Sequence, residues 1–457
     1  MRERWTRNQR RGRERGVRTR TGDDGAAAEE LFVPWPPFVH ARGRRRRRHE
    51  RARVDVRQRY IIIIITFAPA FADARARDAR MEDHLVRFKR VVVPRLDARC
   101  YKGSHGGKIA VVGGSATYSG APFYAAMGAA RAGADLVRVF TSTACAPVVK
   151  AYSPDVIVHA AWEDVPNEES ASLVNPVAVE WLRRVDALVL GPGLGGPGTT
   201  TRGDFSRDCV NEWRGWIESD VPEMFPVVFD ADGLKAFDSA TWDEEVTRMR
   251  YSERHPPQGF WWDIGTPNKM ELFRLIEWGR LCETKVDKKR PREDVDARRR
   301  LRVEDVNVDD ESFREEVIGK ALEQFAPVNF LLKGDTDWLF INRGNGSENG
   351  EFIPIGDDAL FRGAPKRCGG QGDILAGVLA TFLAWAHRRS SDPRRFDPSV
   401  SLDEPTARAL FIAAVVAACY VTRGAVARGF DDVGRGLQAS DVLKYIPEVF
   451  AHKFERL

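Results

Sequence analysis

The chain has 457 residues, 43% of them hydrophobic, which is enough for one large buried core or two ordinary ones. Its formal net charge of +5 is modest for that length and the arginines crowd towards the N-terminus, so overall charge singles out no class of partner. The six cysteines (Cys100, Cys145, Cys209, Cys282, Cys368 and Cys419) are scattered, without a CxxC pair or a zinc spacing, which leaves a reducing compartment, the cytoplasm, as the expected location.

Residues 1–80 differ from all that follow and are read as a disordered, arginine-rich leader. They contain five consecutive arginines, Arg44 to Arg48, and the homopolymer Ile61 to Ile65. That apolar run is far short of the roughly 20 residues a membrane span needs, and the charged stretch before it is too long for an ordinary signal peptide. The arginines leave mitochondrial targeting open as an alternative, although GDDGAAAEE interrupts them. No aromatic or glycine pattern accompanies them, so no nucleic-acid partner is expected. Met81 opens MEDHLVRFKRVVVPRL, where ordinary composition begins, and is read as the initiator of a domain spanning 81–457.

From about residue 105 apolar runs alternate with helix-like stretches. KIAVVGGSATYSGAPFYAAMGAARAGADLVRVFT predicts a strand, a glycine turn, an alanine-rich helix and a second strand. VDALVLGPGLGG and FPVVFDADGLKAF each predict a short strand ending in glycines or acids. CETKVDKKRPREDVDARRRLRVEDVNVDDESF, 282–313, is dense in both charges and is read as a solvated surface insertion. VNFLLKGDTDWLFINRG predicts a hairpin, and RCGGQGDILAGVLATFLAWA and ALFIAAVVAACYVTRGAVARG predict two long apolar helices. The expected fold class is α/β with a mainly parallel sheet, whose ligands bind beyond the carboxyl ends of the strands.

Those ends hold the candidate chemistry. Gly369, Gly370 and Gly372 leave turn amides uncovered, and the helix that follows turns its own free amides and dipole the same way, which suits a phosphate. Asp373 beside it can take a proton from an attacking hydroxyl; equally, it can serve as a cap on a tight turn. Lys333 can reach nucleotide phosphates, or sit in a plain charged turn. Asp230 and Asp232 can hold magnesium or a sugar hydroxyl, with a helix cap as the alternative for Asp232. Thr266, Pro267, Asn268 and Glu271 mark a helix start. GPGLGG, Gly191 to Gly196, suggests close approach of backbone to a ligand. No Ser/His/Asp arrangement and no histidine cluster stands out.

Taken together, KGSHGGKIAVVGGSATYSGAPFYAAMGAARAGADLVRVF, YSPDVIVHA, LVLGPGLG, VVFDADGL, TPNKMELFRL, LLKGD and KRCGGQGDILAG resemble, in order, the ATP-dependent NAD(P)H-hydrate dehydratases. The resemblance runs from about Lys102 to Val442. It implies a ribokinase-like three-layer α/β/α fold with a mainly parallel central sheet. It implies an ATP site at Lys333, Gly334, Asp335, Thr336 and Asp337 together with Gly363, Ala364, Pro365, Lys366, Arg367, Cys368, Gly369, Gly370, Gln371 and Gly372. It implies a site for the hydrated dinucleotide, NADHX or NADPHX, at Gly193, at Asn268, Lys269, Met270, Glu271, Leu272, Phe273 and Arg274, and at Asp373 as catalytic base. The family's segment usually runs TPN, one variable residue, then EF; KMEL departs from it at Lys269, Met270 and Leu272.

The activity so implied is ATP-driven dehydration of the S epimer of NAD(P)H hydrate, with Mg2+, ATP as co-substrate, and a separate NAD(P)H-hydrate epimerase as functional partner. A homo-oligomer is compatible with the sequence, and no membrane partner is expected. A vitamin-precursor or sugar kinase of the same superfamily is the alternative enzyme; a basic-arm nucleic-acid binder with a degenerate core is the alternative of another class.

Overall fold

The computed structural model describes residues 79–96, 103, 105–163, 174–195, 205–220, 225–238, 260–286, 301–342, 350–356, 359–391 and 406–455. All belong to the second of two compact units, Pro69–Leu457. The leader's arginine and isoleucine runs lie outside the described residues.

Nine strands form one sheet: β1 (Lys108–Val112), β2 (Leu136–Ser142), β3 (Ile157–Trp162), β4 (Ala187–Leu190), β5 (Val227–Phe229), β6 (Ile264–Gly265), β7 (Asn329–Leu332), β8 (Asp337–Ile341) and β9 (Glu351–Ile355). Their order is β3-β2-β1-β4-β5-β6-β7-β8-β9. Pairing is parallel from β3 to β7 and antiparallel from β7 to β9. The mainly parallel sheet expected from the sequence is therefore present, with the KGDTD hairpin forming the turn from β7 to β8.

Side chains alternate along each strand and supply two separate cores. Ile109, Val111, Val137, Val139, Ala187 and Val189 face one side. There they meet α1 (residues 79–92), α2 (Gly120–Ala132), α3 (Ala146–Tyr152), α8 (Gln371–Ser391), α9 (Ala407–Val433) and α10 (Ala439–Phe450). Ala110, Val112, Phe140, Leu188, Leu190 and Phe330 face the other. They are covered by α4 (Pro176–Leu182), α5 (Phe205–Asp220), α6 (Lys269–Val286) and a helical run over 311–323, α7. The result is a three-layer α/β/α sandwich. Met81, Leu85 and Phe88 of α1 are buried in the first core.

The long apolar helix α9 has a window apolar enough to cross a membrane, but 78% of that window is buried inside the fold, where it packs on α8 and α10. The charged stretch 282–313 is only partly a surface insertion. Residues 282–286 continue α6, and Val306 is 2% exposed against the second core. Leu301, Val306, Val308 and Phe313, diluted by charge, anchor a segment that averaged composition hides. Residues 287–300 lie outside the described residues.

Candidate active site

The carboxyl ends of β1, β4, β5, β6 and β7 converge, and each ends in a turn noted from the sequence. The first three turns lock into one another. A Cβ on Gly191, whose φ is +123°, would lie 2.0 Å from the Asp230 carbonyl oxygen and 2.1 Å from the Gly233 nitrogen. The backbone that Gly191 admits is the neighbouring DADGL turn. Gly191→Ala is accordingly expected to cost about 3–5 kcal/mol, combining backbone strain and overpacking, read as a lowered denaturation midpoint. Gly193 lies against the Tyr118 carbonyl and Ala121 at the entry to α2.

β5 is followed by Asp230, 2% exposed, whose Oδ1 accepts from Thr266 Oγ1 at 2.6 Å and from Lys333 Nζ at 2.7 Å. Asp230 is thus an internal ion-pair partner. Asp232 does not cap the helix after it; its Oδ2 accepts from the Gly195 N–H at 3.0 Å and its other oxygen lies 3.3 Å from Lys235 Nζ. Among the described residues no three Asp, Glu, His or Cys side chains gather into a metal site. At the end of β6, Asn268 and Glu271 form a reciprocal cap. Asn268 Oδ1 accepts from the Met270 and Glu271 amides at 2.9 and 3.1 Å, and Glu271 Oε2 accepts from the Asn268 amide at 2.8 Å.

Helix α8 points its N-terminus at this junction. Gly370, at φ +89°, turns the chain into the helix beside Tyr124 and Ala439. The Ile374 amide bonds the Gly370 carbonyl at 3.0 Å. The amides of Gly372 and Asp373 precede it, in the turn where N–H groups have no helical acceptor. A Cβ on Gly372 would lie 3.4 Å from Lys333 Nζ, so the lysine ends at the helix mouth. Burial pushes the Asp373 carboxyl up to about 7; repulsion from Asp230 and Glu271 adds to this and Lys333 opposes it. Burial also raises Glu271, which Lys333 opposes. Lys333 is pulled down by burial, but Asp230 first, then Glu271 and Asp373, outweigh that and keep it protonated.

A cavity of about 820 Å3 opens beside this cluster. Of the residues expected at the nucleotide, Lys333, Gly334, Asp335, Thr336, Asp337, Gly363, Ala364, Arg367, Cys368, Gln371 and Gly372 line it. Buried in its walls, Gln371 Oε1 and Thr422 Oγ1 accept no hydrogen bond from the described residues. Both suit a polar ligand.

Several expected residues have other duties. Asp337 is 5% exposed and braces its own turn, accepting from the Gly334 amide at 3.0 Å and from Arg423 Nε at 2.8 Å. Lys366 turns away, donating to the carbonyls of Arg435 and Leu437 at 2.5 and 3.0 Å. Asp335 pairs with Arg367 at 2.5 Å on the surface. Pro365, Gly369 and Gly370 do not line the cavity. Of the second group, Asn268, Lys269 and Leu272 line it, and Leu272 is 1% exposed. Met270 and Arg274 are exposed, and Phe273 packs on the second core.

Sequence reasoning missed Arg423. It reaches from α9 to Asp337 and, through Nη2, to the Gly334 carbonyl at 2.9 Å, fixing the KGDTD turn. The available signal was a lone arginine interrupting ALFIAAVVAACYVTRG, since a cation in an apolar stripe needs a partner.

Comparison with known proteins agrees with this geometry. A family model described as NAD(P)H-hydrate dehydratase matches residues 109–448. The chain is 31% identical over 377 residues to an ATP-dependent (S)-NAD(P)H-hydrate dehydratase of Ciona intestinalis, covering 82% of each chain. It is 31% identical over 383 residues to the protein of that name in Arabidopsis thaliana, covering 82% of this chain and 86% of that one. A hypothetical protein of Streptococcus mutans shares the fold, with a TM-score of 0.51 at 17% identity over 81% of this chain and 98% of that one. With its mainly parallel α/β/α architecture and these matches, the chain belongs to the NAD(P)H-hydrate dehydratase family.

Proposed function

We propose that the protein dehydrates the S epimer of NADH or NADPH hydrate at the expense of ATP, giving NAD(P)H, ADP and phosphate. The observation that carries this is Asp373, a half-buried carboxyl raised to about 7 at the mouth of α8, beside a cavity lined by both expected nucleotide turns. A carboxylate titrating there is a base at neutral pH without being permanently charged.

ATP lies along the turns at Lys333–Asp337 and Gly363–Gly372, its γ-phosphate against the first-turn amides of α8. Lys333, held by Asp230, faces that end. Asp373 accepts the proton of the substrate's C6 hydroxyl as the oxygen attacks the γ-phosphorus and ADP departs. The ring nitrogen's lone pair then expels phosphate, and loss of the C5 proton restores the dihydropyridine. Hydroxide, a poor leaving group, is thereby exchanged for phosphate. The amides of Gly372 and Asp373 and the Lys333 ammonium stabilise the charge that develops on the transferring group. Magnesium, bound with ATP, would be held chiefly by phosphate oxygens and water with few protein ligands, and would neutralise phosphate charge.

Because one epimer is consumed, a separate epimerase is the expected functional partner. Among the described residues Cys145, Cys209, Cys368 and Cys419 form no disulfide, which favours a reducing compartment, the cytoplasm.

Purified protein starting at Met81 tests the reading, given NADH hydrate, magnesium and ATP. Absorbance of NADH should appear with one ADP and one free phosphate per turnover, at the full-length rate. Phosphate left covalently on the product would instead indicate a kinase.

A further inference from the structure

Val306, Asn307, Val308 and Asp309, towards the end of the stretch that composition marks as insertion, line the cavity opposite in character to the α8 mouth. We propose that these four residues form the nucleobase wall of the ATP site, clamped by Arg314 and Trp338, and that Asn307 selects adenine. The proposal rests on the reading that ATP occupies this cavity.

The two ends of the cavity differ in kind. The phosphate end has the α8 amides and Lys333. The 306–309 wall presents two valines, an amide and the Asp309 carboxylate, a set that repels phosphate and accepts a flat, partly apolar ring. Asn307 is exposed; its Oδ1 accepts from the Asp309 amide at 3.2 Å, which leaves the side-chain NH2 as a donor. A donor at that place matches the N1 acceptor of adenine and clashes with the N1–H of guanine.

The wall is held from behind. Arg314, 8% exposed, donates through Nη1 to the Val308 carbonyl at 3.2 Å, and its guanidinium carbon lies 4.0 Å from the Trp338 ring centre. Trp338 Nε1 donates to Asp309 Oδ1 at 3.3 Å. Trp338 belongs to β8, the strand that begins at the nucleotide turn, so one clamp ties the base wall to the phosphate turn. Asp310 accepts from the Phe313 amide at 2.8 Å and starts α7, which carries Arg314. Arg314 and Trp338 touch no ligand in this arrangement and are positioning residues.

The test compares kcat/KM for ATP and GTP, with NADH hydrate saturating, in wild type, Asn307→Asp, Arg314→Lys and Trp338→Phe. Asn307→Asp keeps the oxygen that the turn uses and replaces the donor by an acceptor. Its ATP/GTP ratio should fall roughly tenfold or more, the effect of one reversed hydrogen bond at a base edge. Trp338→Phe and Arg314→Lys should raise KM for ATP and narrow the same ratio; a general loss of stability would lower the melting point without touching base preference. An ATP/GTP ratio unchanged in all three variants, in an enzyme that turns over with ATP, would overturn the base wall alone. A wild-type protein that neither binds ATP by calorimetry nor uses it would overturn the base wall and the proposed function together.

Discussion

Replacing Asp373 by Asn is expected to lower kcat by about 10²–10⁴-fold, the usual worth of a positioned general base, while ATP still binds. The amide keeps the size of the carboxyl and leaves the α8 amides and both nucleotide turns in place, but it cannot accept the hydroxyl proton. For the wild type, kcat/KM should fall about tenfold per pH unit below an inflection near pH 7, because Asp373 titrates at about 7 and is active only when ionised. That acidic limb should vanish from the residual activity of the variant. Stability should move the opposite way. The carboxyl binds its proton more tightly folded than unfolded, so the native state loses stability as pH rises from about 4 to 7. The variant carries no such charge. Its melting temperature should therefore gain on that of the wild type between pH 5 and pH 8. A wild-type limb near pH 4 would show that Asp373 is an ordinary carboxylate and would remove its role as the tuned base.

The second large effect is expected at Lys333. Lys333→Met leaves Asp230, 2% exposed, with the Thr266 hydroxyl but no cation. Breaking a buried pair from one side costs about 3–5 kcal/mol, and the 18% exposure of the lysine side chain places this case towards the lower value. The loss should appear in the denaturation midpoint. Lys333 also opposes the upward shift of Asp373, so its removal should carry the acidic limb above pH 7. Asp230→Asn removes a repelling charge and should carry the limb below pH 7. The double variant Lys333→Met with Asp230→Asn leaves neither charge unpaired and should recover part of the lost stability. Limbs moving in the same direction for both single variants would contradict the electrostatic account of this cluster.

Much of this site is local in origin and hence legible in the sequence. The strands are short apolar runs, the turns at 113–114, 191–193 and 369–372 are marked by glycine, and the Asn268–Glu271 cap is a four-residue pattern. The KGDTD hairpin and the helix opening after GGQGD likewise depend on neighbours a few residues apart. Side-chain duty was less legible. The resemblance placed Asp337 and Lys366 at the nucleotide, whereas their packing duties, bracing a turn and tying down residues 435–437, had no local signal. The stretch 301–313 read as solvated because its charges outnumber four spaced apolar anchors.

The sequence by itself determined the alternation of strand and helix, the two-sided core that such alternation demands, and the position of every glycine turn at a strand end. Each follows from periodicity or from backbone freedom over a few residues. Only the tertiary structure decided which charges neutralise one another. Lys333 meets Asp230 across 103 residues and Arg423 meets Asp337 across 86, pairings that no local pattern encodes. The ionisation of Asp373 belongs to the same class: its carboxyl is raised by burial and by carboxylates from other strand ends, so it exists only once the sheet has brought those ends together.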